Sequence, residues 1–498
     1  MKLLVPKEVE QIAAILEGAS YKAYIVGGCL RDLLLGVEPK DWDLTTNARP
    51  EKIQELFRTF NGANLEKPAT VYENTFGTVG IKTGSANPTL AIVEVTTFRL
   101  EVGYTDKRHP DEVKFTDDIT EDLARRDFTV NAMALPAHAG TPAAIIDPFD
   151  GRKDLKDGII RTVHKPEDCF NEDALRLLRA IRFAAQLGFA IEAKTLTAIQ
   201  ALAGLLEFVS KERIRDEFEK LLMTSHATEG VELLLRLGLL KHILPELLEG
   251  VGVGQNKHHI YTVFEHNLRS LEYAVKKNFP LHLRLASLLH DVGKPRSKKG
   301  DGPDSTFYGH QVVGERLALR MLDRLHFPKK LTEAVALLVR EHMFVYDPEV
   351  VTLAGVRRLL RRIGPENADD LIKLREADRI GSGVPKAQPY RLRHLQAMME
   401  KVQRDPVSAK MLTLRGDDVM RLAGIAPGPR VGHILAVLLE EVLDLPDLNN
   451  ADQLRARILE LANLSDADLL QLAKQAKKKA TEAQERIDSE IKDKYSVQ

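Results

Sequence analysis

The chain has 498 residues, 44% hydrophobic and 29% charged, with a formal net charge of -1, so it is long enough for several domains and reads as a globular protein. No apolar run approaches the roughly 18 residues of a membrane span, and the opening "MKLLVPKEVEQIAAILEG" lacks the succession of a signal peptide. Two cysteines, Cys29 and Cys169, are too few for a disulfide framework and point to a reducing, cytoplasmic setting. The near-zero charge neither supports nor excludes a nucleic-acid partner, because phosphate binding needs only a local basic patch.

Strands and helices mix over roughly the first 140 residues. "AYIV", "FGTVGIKT" and "AIVEVTTFRL" are β-branched and read as strands. The first of these runs on into "YIVGGCLRDLLLGVEPKDWDLTT", with Gly27 and Gly28 leading a helix. These glycines let a backbone approach phosphate, the helix N-terminus favours an anion, and Arg31 adds a charged donor. If "DWDLTT" is a strand, Asp41 and Asp43 share one face and Trp42 takes the other. Two carboxylates on one face repel unless a cation lies between them. Mg²⁺ suits hard oxygen ligands and substrate phosphates. Glu94, in "VEVTTFR", is a third strand acid, and the set reads as a nucleotidyl-transfer metal site. Taken alone, Asp-x-Asp is no more than a surface strand; the whole string is much more specific.

From about Asn171 onward the pattern is almost wholly helical. "NEDALRLLRAIRFAAQLGF" reads as one amphipathic helix closed by Gly188, with Asp173 and Arg176 on a shared face. An Asp accepts from an exocyclic amine and an Arg donates to ring acceptors, so such a pair suits cytosine and adenine and disfavours uracil and guanine. "GVGVGQNKHH" is a Gly-rich joint. "TVFEHNLRSLE", "SLLHDVGKP", "YGHQVVGE", "VREHM" and "READRIG" then supply His266, His290, Asp291, His310, His342 and Asp378. Imidazole and carboxylate ligands suit Mn, Fe, Co or Ni, and Mg²⁺ at an acid-rich site. Lys294 is placed to neutralise a phosphate. "VRRLLRRIG" carries Arg357, Arg358, Arg361 and Arg362; by itself this is a solvated helix face. The closing "AKQAKKKATEAQERIDSEIKDKYSVQ" has few large apolar residues and reads as a frayed helix or disordered tail.

In order along the chain, GG-x-x-RD-x-x-LG with DWDLTT, "RRDFTVNAMA", "DPFDGRKDL", "EDALRLLRAIRF" and "VSKERIRDEFEKLL" resemble the five motifs of class II tRNA nucleotidyltransferases and bacterial poly(A) polymerases. The downstream histidines resemble the HD metal-dependent phosphohydrolases. The resemblance implies an α+β fold: a polymerase-β-like head with a small mixed sheet, then an all-α neck and body including an HD domain. It divides the chain into a head (1–140), a neck carrying the base-selecting helix (141–250), an HD domain (251–385), a C-terminal helical tRNA-binding region (386–470) and a charged tail (471–498).

The resemblance also assigns roles. Asp41, Asp43 and Glu94 would be catalytic, with Mg²⁺ on the first two. Gly27, Gly28, Arg31, Arg125, Asp127, Asn131, Asp173, Arg176 and Arg179 would bind nucleotide. Arg126 would meet phosphates or local acids, while Glu172 and Arg179 steady the Asp173/Arg176 pair. His266, His290, Asp291 and Asp378 would form a first metal shell, extended by His310 and His342. "GYTDKRHPDEVKF" (Gly103–Phe115) resembles the loop that switches C to A addition. Arg415 and Arg430 would assist RNA binding beside the "GIAPGPRVG" turn. The implied activity is template-independent building of the 3′-CCA end of tRNA from CTP and ATP. The rivals are a poly(A) polymerase, an A-adding specialist, and an HD phosphohydrolase whose head only docks RNA.

Overall fold

The computed structural model describes residues 3–58, 60, 70–73, 77–103, 112–138, 141–255, 260–404 and 412–497. Two compact units form: Met1–His342 with Ala377–Val384, and Met343–Glu376 with Pro385–Gln498. None of the described helices is long and apolar enough to cross a membrane.

In the first unit, eight strands matter to the site: β1 (Ala23–Val26), β2 (Asp43–Thr46), β3 (Thr70–Glu73), β4 (Thr78–Lys82), β5 (Ile92–Thr97), β6 (Arg99–Val102), β7 (Glu112–Phe115) and β8 (Ala134–Pro136). Six of them make a sheet in the order β3-β4-β5-β2-β1-β8. β2 and β5 run parallel and the other neighbours antiparallel, so the sheet is mixed, as expected. β6 and β7 pair separately as a hairpin, which places the end of the expected switching loop in a strand; residues 104–111 of that loop lie outside the described residues. The period-2 pattern sends Val93 and Val95 into the core and leaves Glu94 exposed. The amphipathic first helix, Lys7–Gly18, buries Val9, Ile12, Ala13 and Leu16.

"NEDALRLLRAIRFAAQLGF" is not one helix. Pro166–Glu172 ends at Asp173, whose backbone is extended (φ -136°, ψ 105°), and a new helix runs Arg176–Leu187 to a left-handed cap at Gly188. The break has a local cause. Asp173 turns its carboxylate onto the backbone N–H of Leu175 at 3.0 Å, the capping habit that competes with helix continuation. Helices Lys211–Leu222 and Ala227–Arg236 pack against the second segment. Leu281–Leu289 follows, and its buried Arg284 donates to the carbonyls of Phe279, Leu222 and Thr224 at 2.8, 2.7 and 3.0 Å. One guanidinium thus satisfies the C-terminal end of one helix and the turn before another.

The second unit is helical. Gly416–Ala423, Pro429–Asp444, Ala451–Ala462 and Asp466–Tyr495 share a core that includes Val419, Ile434, Leu438, Leu454, Ile458 and Leu461. The last of these helices corrects the expected frayed tail. It runs unbroken for 30 residues and buries Leu469, Ala473, Ala476 and Ile491. Small alanines at helical spacing carry its packing, a signal that a count of large apolar residues undervalues. Lys479 to Glu440 and Lys494 to Glu400, each 2.7 Å, tie down its polar face. Arg430 is also spent internally, on Asp466 and the carbonyls of Ala462 and Leu464, while the Arg415 backbone N–H is capped by Asp418. The expected use of the Arg430 guanidinium on RNA phosphate therefore has to compete with these partners.

Arg284→Ala leaves the helix-end carbonyl of Leu222 and the carbonyls of Thr224 and Phe279 without this donor. It should cost about 2–5 kcal/mol. Hydrogen exchange should show faster opening of Lys211–Leu222 and Leu281–Leu289 together.

Candidate active site

β1 ends where the helix Gly27–Leu35 begins, and β2 returns beside it. The sheet therefore delivers the glycine pair and the two aspartates to one place. Gly27 has φ +72°, and a Cβ there would lie 3.3 Å from Asp43 Oδ2 and 3.2 Å from Arg126 Nη1. The backbone must pass this close, which is what the glycine permits. The regular strand starts only at Asp43, but the Trp42 carbonyl still accepts from the Glu94 N–H at 3.0 Å, so the alternation reaches back past it. Trp42 is buried, and Asp41 and Asp43 both line the same cleft of about 1130 Å³. Glu94 pairs with Asp43 in the parallel register. The Asp43 carboxyl is pushed up to about 7 by burial, then by the charges of Asp41 and Glu94, with Arg126 pulling the other way. A carboxylate cluster under that strain fits a divalent cation.

The same cleft is lined by Arg31, Arg125, Arg126, Asp173, Arg176 and Arg213 among others. Arg31 is buried and donates to Asn131 Oδ1 at 2.9 Å. Asn131 reaches Asp127 at 3.4 Å, and Asp127 takes both Nε (2.8 Å) and Nη2 (2.7 Å) of Arg179. Burial opposes charge on Asp127, but Arg179 and Arg176 outweigh it and hold the carboxyl at about 2. Arg125 and Arg126 both meet Asp122, at 2.8 and 3.4 Å, and Arg125 also meets Glu101 at 3.3 Å.

Further along the first unit, six side chains converge. His266, His290 and Asp378 form one group with ligand atoms within 4.8 Å of one another, and Asp291, His310 and His342 form a second. Asp291 joins them. Its Oδ2 is 3.0 Å from His266 Nε2, and its Oδ1 is 3.2 Å from His310 Nε2. Three of the rings are oriented by one device: Nδ1 of His290, His310 and His342 faces the carbonyl three residues earlier at 2.9, 2.7 and 2.7 Å. Nδ1–H donation there leaves each Nε2 pointing inward as a lone-pair ligand. Nε2 of His266 and His290 approach to 2.9 Å, and of His310 and His342 to 3.3 Å. All six residues are buried. Inward lone pairs around a shared carboxylate fit divalent metal, for one ion or two. The acids draw positive charge into the cluster: despite burial, His290 is pushed up to about 9 by Asp291 and Asp378, and despite its own burial Asp291 is held well below the usual carboxylate range by Lys294 and His290, so a bound cation would take the place of the His290 Nε2 proton. Lys294 lies 2.6 Å from Asp291 and 2.6 Å from Gln255.

Residues 23–161 match the poly A polymerase head domain, 188–250 the probable RNA- and SrmB-binding site of polymerase A, and 263–381 the HD domain. An A-adding tRNA nucleotidyltransferase of Deinococcus radiodurans is 36% identical across 84% of this chain and 91% of that protein. A CCA-adding enzyme of Limosilactobacillus fermentum is 43% identical across 88% of this chain and 94% of that protein. The chain belongs to the tRNA nucleotidyltransferase family. A solved CCA-adding enzyme of Bacillus stearothermophilus, in complex with CTP, is 28% identical, superposes with a TM-score of 0.57, and spans 92% of this chain and 98% of its own.

Within this nucleotidyltransferase the fourth motif departs from the sequence expectation. Asp173 and Arg176 do not share a helical face, because the helix breaks at Asp173. Both carboxylate oxygens of Asp173 are clamped by Arg213, at 3.1 and 2.7 Å. Arg176 points to Glu172 (2.5 Å) and to the carbonyls of Cys169 and Arg125. Glu172 does steady Arg176, but Arg179 holds Asp127 and Glu217 instead of the pair. Arg213 is the residue that sequence reasoning missed. It lies in the fifth motif, VSKERIRDEFEKLL, yet only the fold brings it to Asp173, 40 positions away.

Two outcomes test these geometries. Gly293→Ala would set a Cβ 2.1 Å from the His310 carbonyl. It should lower metal content measured by elemental analysis while nucleotide transfer persists. Asp127→Asn should destabilise the protein. The folded carboxyl lies near 2, below its unfolded value, so its contribution is present above the unfolded value and fades as pH falls through the folded one. The urea-midpoint gap between wild type and variant should thus be constant from about pH 8 to 5 and narrow below about pH 4.

Proposed function

We propose that this tRNA nucleotidyltransferase builds and repairs the 3′-CCA end of tRNA without a template, taking CTP and ATP in turn. The observation that carries the reading is a single cleft holding both Asp41/Asp43 and Asp173/Arg176. Reaction chemistry and base choice need to act on the same nucleotide, and one cavity supplies both. Gly27 and Gly28 admit the triphosphate to the helix N-terminus, and Arg31 and Arg126 meet its charge. Asn131 and Asp127 face the sugar. Asp173 accepts the exocyclic amine common to cytosine and adenine, once its contact with Arg213 is shared or released. Arg176 donates to the ring acceptors. Asp41 and Asp43, with Glu94 adding negative field, would hold Mg²⁺. When bound, Mg²⁺ lowers the cost of ionising the tRNA 3′-hydroxyl and of the charge that builds on the α-phosphate. Pyrophosphate leaves.

A second reading has its own support. The Deinococcus radiodurans relative, similar over nearly its whole length, is named for A addition alone. Three substrates separate the products: a tRNA ending at the discriminator base, one ending in C-C, and one complete. CCA addition extends the first by two C with CTP alone, adds one A to the second, and leaves the third untouched. An A-adding specialist acts only on the second, and a poly(A) polymerase tails all three. Asp41→Ala and Asp43→Ala should each lower incorporation by about a thousandfold or more, the scale on which preorganised charge stabilisation acts. Affinity for tRNA should stay within a few-fold. Asp173→Ala should relax preference for CTP over UTP by about ten- to a hundredfold, the worth of a bidentate base contact of about 1–3 kcal/mol.

The HD cluster is a second, separate centre. Its six ligands would hold Mg²⁺, or one or two ions of Mn, Fe, Co or Ni, and acidify a water for attack on a phosphomonoester or a 2′,3′-cyclic phosphate. Lys294 offsets phosphate charge. Asp291→Ala should abolish metal-dependent release of phosphate from p-nitrophenyl phosphate and spare CTP incorporation. Absence of hydrolysis by wild type with each of these metals would make the cluster a structural centre only.

A further inference from the structure

We propose that Phe183 is a positioning residue for nucleotide binding, its ring fixing three guanidinium groups along one wall of the cleft. This rests on the transferase reading above, in which the cleft takes CTP and ATP.

The helix Arg176–Leu187 carries Arg179, Arg182 and Phe183, and the glycine-led helix carries Arg31. All four side chains line the cleft. The guanidinium carbon of Arg182 lies 3.5 Å from the centroid of the Phe183 ring, that of Arg179 5.2 Å and that of Arg31 5.3 Å. Each is within the reach of a cation–π contact. Arg179 arrives by helical spacing, four residues before the ring. Arg31 arrives only through the fold. The ring is held in turn by Phe128, which meets it edge-on at 5.7 Å and 77°. Phe128 is fully buried and Phe183 is 5% exposed, so the ring has little room to swing away from the three cations.

A leucine would fill the same space, but it has no π face. The in-plane N–H groups of the three arginines are already engaged: Arg31 pairs with Asp32 at 2.7 Å, Arg179 with Asp127 at 2.7 Å and Arg182 with Glu217 at 2.9 Å. Such bonds lie in the guanidinium plane and leave its flat faces to stack. The negative face of an aromatic ring meets positive charge there. The acids neutralise the arginines one by one, whereas the ring ties all three to a common point. That point joins two parts of the nucleotide site. Arg31 meets the triphosphate, and the helix that carries Phe183 opens at Arg176, which reads the base. Phe183 thereby sets the spacing between the group that holds phosphate and the helix that selects the base.

The test replaces Phe183 in the full chain by phenylalanines with one, two and three ring fluorines, which keep the side chain's shape and drain its negative face. CTP, ATP and inorganic triphosphate binding are measured for each, with tRNA extension kinetics. Affinity for all three probes should fall in step with fluorine number, reaching about fivefold at three fluorines, the scale of one cation–π contact. KM for CTP and for ATP should rise together while kcat changes little. The preference for CTP over UTP should hold, because the triphosphate is common to both. Phe183→Leu should resemble the trifluorinated variant; where it fails to fold, the fluorinated series still decides. Unchanged affinity across that series would overturn the proposal. So would a loss in Phe183→Leu beside a flat series, since the ring would then only fill space. If wild type binds neither CTP nor ATP, the transferase reading falls and this proposal with it; if it binds both and the series is flat, only the role of Phe183 is lost.

Discussion

The chain of polar contacts through Asp127 is the constraint on which the site depends. Arg31 from the glycine-led helix reaches Asn131, Asn131 reaches Asp127, and Asp127 holds Arg179 from the helix after the break. Arg179 also approaches Glu217, which binds Arg182. Three separate elements are thereby fixed around one cleft by charge. A buried carboxylate such as Asp127 is costly without partners, and removing any one of them would leave the others uncompensated. That cost makes the arrangement specific: the head and the base-selecting helix meet in the register that satisfies every group.

The two centres answer the same problem in different ways. In the head, Asp41, Asp43 and Glu94 gather negative charge on one sheet face, and Arg126 offsets part of it beside Gly27. In the HD cluster, the acids are matched by histidines and Lys294 among buried side chains. The first is placed in a large cleft that admits a nucleotide and an RNA end. The second is held by backbone carbonyls that set each imidazole, a rigid device suited to keeping metal ligands in place. Arg284 links the ends of the helices behind the two centres, since Lys211–Leu222 supplies Arg213 and Leu281–Leu289 leads directly into His290 and Asp291.

Much of this was legible from residue order. The short-period strands, the glycine pair and the Asp-x-Asp spacing determined that two carboxylates and a phosphate-tolerant turn would lie together. The six histidine and aspartate ligands were identifiable because their order along the chain resembles that of the HD phosphohydrolases. The helical body followed from the change of period along the chain, and the mixed sheet from the family resemblance. Three features were not legible. The helix break at Asp173 depends on which group its carboxylate meets. The 30-residue final helix depends on alanines that pack only against a particular neighbour. The division of the HD ligands into two triads around Asp291 depends on which oxygen faces which ring.

The sequence by itself therefore determined the inventory: which charges, ligands and turns exist, and the order in which they come. Local spacing controls strand alternation and helical faces, so those pairings are written in neighbouring residues. Tertiary structure alone decided the partners. Arg213 clamps Asp173 from 40 positions away, Arg31 meets Asn131 across 100, and Asp291 bridges His266 and His310. A side chain with several possible acceptors takes the one that burial leaves unsatisfied beside it, and that choice is made by packing, after the chain has folded.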